Sequence, residues 1–252
     1  MTDLVTDELV LTSRIMPASN ATFAGTIGDV PVVYKPVAGE RPLWDFPDGN
    51  LARREVAAYE VSEAMVWNIV PRTWLREGPA GIGMVQLWQE TDPEQTAVDL
   101  VPAPKLPAGW HRVMDGLDVR DRPVSVIHEE SPALRRMAVF DIIINNADRK
   151  GGHVLEMTDG HRHGIDHGVT FHPEHKLRTV LWGWIGEQLS DDEVKGVESV
   201  RTALAGDLGT ALTELITDAE IAALAVRCDR LLQRGTFPAP EGDMPAVPWP
   251  PF

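Results

Sequence analysis

Four residues of this chain have the types, and stand in the order, that phosphoryl transfer requires. Lys35 closes the run "VVYKP", Glu55 sits within "RREVAAYEVSE", Asp148 follows a long apolar stretch in "NNADRKGGHVL" (residues 145 to 155), and Asp166 lies in "GIDHGVTF". Such chemistry needs a cation on the non-transferred phosphates, a partner to hold that cation, a carboxylate near the acceptor hydroxyl and a carboxylate for a metal ion. Singly, each has an ordinary explanation: a strand-end lysine is usually solvated, Glu55 could pair with an arginine on its own helix face, and Asp166-His167-Gly168 could be a plain turn. Their joint occurrence in this order is far more informative than any one of them.

The elements around them fit. "FAGTIGDVPVVYKPV", residues 23 to 37, predicts a hairpin turning at Gly28-Asp29 and ending at Lys35-Pro36. Leu51, Ala52, Val56, Tyr59 and Met65 recur at helical spacing behind Asp48 or Asn50 as N-cap. "GIGMVQLWQE", 81 to 90, reads as a strand, and the proline-rich "VPAPKLPAG", 101 to 109, as a connector between two lobes or a surface excursion within one domain. Ser131 then caps a helix with Pro132 at its first position. Ala133, Met137, Phe140 and Ile144 form one stripe and Val139, Ile142 and Ile143 fill the other side, so the helix is expected to be buried nearly all round. "SDDE" at 190 and "TDAE" at 217 have the form of capping boxes and open two further helices. The tail "FPAPEGDMPAVPWPPF" has six prolines in sixteen residues, which excludes a regular helix; an extended course anchored by Trp249 and Phe252 is expected.

The 252 residues are 43% hydrophobic and 24% charged, enough for a sizeable core, with 23 Lys plus Arg against 38 Asp plus Glu and a net charge of -15. That surface repels phosphate backbones, so nucleic acid is not an expected partner. No leader and no transmembrane segment are read, and a cytoplasmic location follows as an expectation. Cys228 is the single cysteine, inside an apolar helical pattern, which leaves no intrachain disulfide.

"DRKGGH" followed by "IDHG" resembles the D-R-x-x-x-N and D-x-G pair of phosphatidylinositol 3- and 4-kinase-like enzymes, a superfamily to which HipA-like protein kinases are related. "VVYKP" and "RREVAAYEVSE" are similar to its lysine strand and glutamate helix. The similarity spans roughly residues 15 to 185, and the chain looks like an uncharacterised actinobacterial branch. The resemblance implies one α+β, two-lobed protein-kinase-like domain over 1–252. A small β-rich N-lobe would run to about residue 90, a mainly helical C-lobe from about 91 to 236, and the Pro-rich tail over 237–252. It implies ATP and Mg2+ as cofactors. Lys35 would touch the inner phosphates and pair with Glu55; Asp148 would be the catalytic aspartate, Arg149 would steady its loop, and Asp166 would hold magnesium. "PASNATFAG", 17 to 25, takes the place of the phosphate-covering loop, with Ser19, Asn20, Ala21 and Thr22 offering N–H groups and a hydroxyl; Gln86, Leu87 and Trp88 fall at the hinge beside adenine.

One residue departs from the pattern. The family's Asn five residues after the catalytic Asp is His153 here, and a neutral imidazole is a poor magnesium ligand. Three options stay open: His153 contacts phosphate, the site favours Mn2+, or the second metal position is lost and the domain binds nucleotide without efficient turnover. The acceptor hydroxyl, on a protein, a small polyol or a phosphoinositide, is also open, although the acidic surface argues against the last. A competing class comes from six of the eight histidines lying between 153 and 175. His161, His163, Asp166 and His167 make H-x-H-x-x-D-H, one residue longer than the H-x-H-x-D-H run of metallo-β-lactamase-like zinc hydrolases. Ligands aimed at one metal pair cannot absorb that extra step of chain rotation. The alternative is that His161 and His163 decorate a hairpin near Asp159-Gly160. Gly81 and Gly83 have no phosphate-binding helix behind them, and no Walker A sequence occurs.

Overall fold

The structure is a computed structural model and describes residues 2–16, 18–41, 43, 46, 50–103 and 105–252. Its first half is built by alternation. β1 (Leu9–Arg14), β2 (Phe23–Ile27), β3 (Val30–Pro36), β4 (Thr73–Gly78) and β5 (Gly81–Leu87) form a five-stranded sheet in the order β1-β2-β3-β5-β4. The pairings are antiparallel. Gly28 takes φ +57° in the turn between β2 and β3, as such a tight connection requires. Tyr34 packs with Leu9, Ile27, Val32 and Val85 on one face of the sheet, so Lys35 projects to the other, beside its register partner Met84. On that second face Met84 packs on Ala52 and Val56 of α1 (Leu51–Met65).

The start of α1 is held twice. The Asn50 side chain accepts from the Arg53 N–H at 2.8 Å, and the Glu40 carboxylate accepts from the N–H groups of Leu51 and Ala52, both at 2.8 Å. Asn50 is thus the cap; Asp48 lies outside the described residues.

β6 (Val98–Pro102), β7 (Trp110–Leu117) and β8 (Pro123–Glu129) follow as a second antiparallel sheet, ordered β6-β8-β7. Of the two readings of 101–109, the sheet order favours the excursion within one domain over the connector between lobes. The stretch leaves edge strand β6 and re-enters the same sheet at β7, and a proline is tolerated at Pro102 because an edge strand has an unpaired side. The helical part begins at α2 (Pro132–Ile144), where Ser131 accepts from the Leu134 N–H at 3.2 Å. Leu134, Met137, Phe140, Ile143 and Ile144 are all fully buried, each stabilising the fold by about 1.5–3 kcal/mol. After the short hairpin β9 (Val154–Glu156) and β10 (Arg162–Gly164) come α3 (Asp191–Ala203), α4 (Asp207–Thr213) and α5 (Asp218–Arg234). The expected capping boxes are formed, Ser190 with Glu193 and Thr217 with Glu220; α4 carries no such signal and is found only in the structure. α1 also packs on α3, where Gly196 is required, because a Cβ there would come within 2.2 Å of the Trp67 indole. Cys228 lies in this core, and burial pushes its thiol up to about 12.

The tail is anchored, but not by both expected aromatics. The Ala246 carbonyl accepts from the Thr179 N–H at 3.0 Å and from Trp182 Nε1 at 2.9 Å, and the Phe252 ring rests on Gly151. Trp249 is 78% exposed, because the chain is already fixed on either side of it. Among the described residues no helix is long and apolar enough to cross a membrane.

His128 on β8 ties the second sheet to the segment before α3. Its Nδ1 donates to the Glu129 carbonyl at 2.9 Å, its Nε2 accepts from the Gly183 N–H at 2.9 Å, and the ring lies 4.5 Å from that of Trp184. Burial lowers its imidazole to about 4. The folded state therefore refuses a proton that the unfolded chain takes up near pH ~6.5, so this contribution to stability is complete above that pH and is lost as pH falls toward about 4. Urea unfolding should show a midpoint that declines over this window, with a shallower decline in His128→Gln.

Candidate functional site

A buried ion pair organises the loop that follows α2. Asp141, on the last turn of α2, and Arg149 are both 0% exposed. The guanidinium donates to Asp141 through Nη2 at 2.8 Å and Nε at 2.9 Å. Asn146 Nδ2 adds a bond to Asp141 Oδ1 at 2.9 Å. A carboxylate and a guanidinium can be buried only when their remaining lone pairs and N–H groups are satisfied. Arg149 meets that condition by donating to the carbonyls of His153 at 3.0 Å and Ile165 at 3.3 Å and to His167 Nε2 at 2.7 Å. One side chain thus fixes both segments singled out in the sequence. Gly164 is part of the same fit, since a Cβ there would lie 2.9 Å from Arg149 Nη2. Asn145 ends α2 in the left-handed region, φ +55°, and its amide reaches the carbonyls of His172 and Glu174. The second amide, Asn146, accepts the Asp148 N–H at 3.0 Å. So the dense polar cluster after α2 is a set of clamps.

Asp148 is left partly exposed, with Lys150 Nζ 3.2 Å from Oδ2. Its carbonyl accepts from His153 Nδ1 at 2.9 Å. The other ring nitrogen, Nε2, faces Asp166 Oδ2 at 3.3 Å. Asp166 adopts φ +62°, an uncommon conformation for a residue with a side chain, and its carboxylate is half exposed at 49%. Lys35 Nζ lies 2.7 Å from Asp166 Oδ1 and 2.6 Å from Glu55 Oε1, joining a strand, a helix and a loop. Glu55 Oε2 accepts the His167 N–H at 2.9 Å. Burial alone would depress the Lys35 ammonium, but the carboxylates of Asp166 and Glu55 outweigh it and hold it above its ordinary range. The Lys35 charge in turn holds Asp166 below the usual carboxylate range, whereas burial raises Glu55 despite Lys35. The result is a fixed cation beside an ionised, accessible carboxylate. Lys35, Glu55, Asp148, Arg149, His153 and Asp166 therefore converge through direct contacts.

The remaining candidates lie on flanking segments. Asn20 Oδ1 accepts from the Arg41 N–H at 2.8 Å, the Ala21 N–H bonds Gly39, and the Thr22 hydroxyl donates to the Asn20 carbonyl at 3.3 Å, which pins the loop of Ser19 to Thr22 onto residues 39–41. Pro17, at the head of this loop, lies outside the described residues. Gln86 is buried and donates to Thr73 Oγ1 at 2.8 Å, and Trp88 is exposed just past β5. The N–H groups of Leu87 and Trp88 bond the carbonyls of Arg72 and Pro31. The zinc pattern does not converge. His161 Nε2 meets the Asn68 carbonyl, His163 Nδ1 the Ile69 carbonyl and His167 Nε2 the Arg149 guanidinium. His161 and His163 do flank the β9–β10 hairpin. No group of three or more His, Cys, Asp or Glu among the described residues is placed to hold a metal by itself.

Two contributors escaped the sequence reading. Asp141 is the lone acid in "AVFDIII", a buried charge whose signal was its mismatch with an otherwise apolar helix. Arg54, next to Glu55, is 3% exposed and donates to Glu220 Oε1 of α5 at 2.6 Å and to the Thr170 carbonyl at 2.6 Å. Removing one charge of the Asp141–Arg149 pair strands the other: Asp141→Asn should lower unfolding free energy by about 3–5 kcal/mol in chemical denaturation.

No family model matches the sequence. The fold is similar to that in the crystal structure of the Helicobacter pylori proinflammatory kinase CtkA, with a TM-score of 0.50 at 11% identity, covering 94% of this chain and 95% of that one. The architecture is accordingly α+β and kinase-like, a β-rich amino-terminal sheet followed by a mainly helical part. In sequence the chain is 48% identical to Protein Rv2133c of Mycobacterium tuberculosis over 262 aligned positions, spanning 99% of this chain and 94% of that protein. With nearly half of all positions shared from end to end, the chain belongs to the same protein family as Rv2133c.

Proposed function

We propose that the protein is an ATP-dependent phosphotransferase that passes the terminal phosphoryl group to a hydroxyl acceptor. The observation that carries this reading is the Lys35 ammonium held at 2.6 Å by Glu55 and at 2.7 Å by Asp166, on a kinase-like fold and directly beside the Asp148 loop. The likeness of "DRKGGH" and "IDHG" to phosphatidylinositol 3- and 4-kinase-like sequences supports it as well. In this reading Lys35 binds the inner phosphates and Glu55 keeps it aimed. Ser19, Asn20 and Thr22 lie toward the triphosphate, and Gln86, Leu87 and Trp88 flank the adenine.

The residues present fit an octahedral divalent cation, Mg2+ or Mn2+. Asp166 offers an accessible ionised oxygen and His153 a neighbouring ring nitrogen, and a hard cation bound with phosphates takes most of its ligands from phosphate and water. When bound, the ion neutralises phosphate charge. Asp148 accepts the acceptor's hydroxyl proton as the new oxygen–phosphorus bond forms and the bond to the bridging oxygen breaks. Arg149 contributes through position alone, being fully buried behind the loop. The acceptor is a protein, a small polyol or a phosphoinositide.

Incubation of the purified protein with labelled ATP and a cell extract should label a discrete acceptor. Asp148→Asn should lower that labelling by about two to four orders of magnitude while ATP still raises the melting temperature. Full labelling by this variant would remove Asp148 from its role, and ATP-dependent stabilisation with no labelling by the unaltered protein would favour a nucleotide-binding module. Lys35→Met, in contrast, should weaken ATP binding in calorimetry, and an unchanged affinity would exclude Lys35 from the phosphates.

A further inference from the structure

We propose that His153 is a direct ligand of the divalent cation that accompanies the nucleotide, and that it makes the site select manganese-like ions over magnesium. The inference rests on the nucleotide-binding reading above and concerns the chemistry of its metal. The ring tautomer is fixed by geometry. A main-chain carbonyl can only accept, so the 2.9 Å contact between His153 Nδ1 and the Asp148 oxygen places the hydrogen on Nδ1. With its hydrogen on Nδ1, the neutral ring can direct the Nε2 lone pair at the same space as Asp166 Oδ2, 3.3 Å away. A cation seated there would take both atoms as ligands.

The separation agrees with such a cation. Donor atoms about 2.1–2.3 Å from one octahedral ion stand about 3.0–3.3 Å apart when they occupy neighbouring positions. Both donors are also prepared for the task. Asp166 spends its other oxygen, Oδ1, on Lys35 at 2.7 Å, which leaves Oδ2 directed at the imidazole. The His153 ring is steadied through Nδ1–H by a carbonyl, the usual support of a metal-bound histidine, and its own carbonyl is held by Arg149 Nη1 at 3.0 Å. Magnesium strongly prefers oxygen, whereas manganese accepts a nitrogen while keeping the octahedral, oxygen-rich shell that phosphates and Asp166 supply. Zinc would favour fewer and softer donors, and a single imidazole does not provide them.

The test uses the full chain with ATP and either MnCl2 or MgCl2. Calorimetry should give at least about tenfold tighter binding with manganese, and His153→Asn should narrow or reverse that ratio. Pulsed electron paramagnetic resonance of the manganese–ATP complex should show coupling to a ring nitrogen that disappears in His153→Asn, while any coupling from adenine stays. Binding with both metals at equal affinity, without a His153-dependent nitrogen signal in the unaltered protein, would overturn the proposal and leave the phosphotransferase reading in place. Absence of ATP binding with either metal would instead overturn the phosphotransferase reading, and the metal proposal with it.

Discussion

Asp141 and Arg149 meet where water cannot reach, and the geometry of the site follows from the cost of putting them there. A buried guanidinium must find a partner for each N–H, and Arg149 finds them on Asp141, on the carbonyls of His153 and Ile165, and on His167. Those partners belong to α2, to the loop bearing Asp148 and to the segment bearing Asp166. Satisfying one cation therefore draws together three stretches of chain, and Asp148 and Asp166 are displayed at their outer edge. The rigidity comes from desolvation: a shifted loop would leave a charge uncompensated in the interior.

The second fixed point, Lys35, depends on strand periodicity. Tyr34 is committed to the apolar face of the sheet, so its neighbour has no choice of side and emerges toward α1. Glu55 waits there because α1 begins where Asn50 and Glu40 cap it, which sets the rotation of the helix about its axis. Small local rules, a pleat and a cap, thus set a distance that no local rule specifies. The five-stranded sheet and the helical part meet at this lysine.

Much of this was legible in advance, and the exceptions have physical causes. The hairpin around Gly28, α1, α2 and both capping boxes have local signatures, a turn glycine, an apolar period or a hydroxyl three residues before a glutamate, and these survive in the fold. The proline-rich stretch at 101–109 left two readings open because prolines mark an interlobe connector and an excursion from an edge strand alike, and only pairing with β8 separates the two. Trp249 misled because hydrophobic character does not say which of two neighbouring aromatics finds a surface. In the site, residue types and their order pointed to Lys35, Glu55, Asp148 and Asp166, and the family resemblance to His153. Asp141 was passed over because periodicity weighs apolar residues and is blind to the one acid among them, and Arg54 because its partner Glu220 lies more than 160 residues along the chain.

Arg54 and Glu55 are consecutive, and between them they bind α1 in two directions. Glu55 holds the sheet's lysine, while Arg54 is locked to Glu220 on the last helix and to the Thr170 carbonyl, in surroundings closed to solvent. Moving α1 outward would pull Glu55 from Lys35 and also tear a desolvated arginine from its carboxylate. Any displacement of α1 from the sheet would therefore have to break two ion pairs at once, one to a strand and one to the last helix.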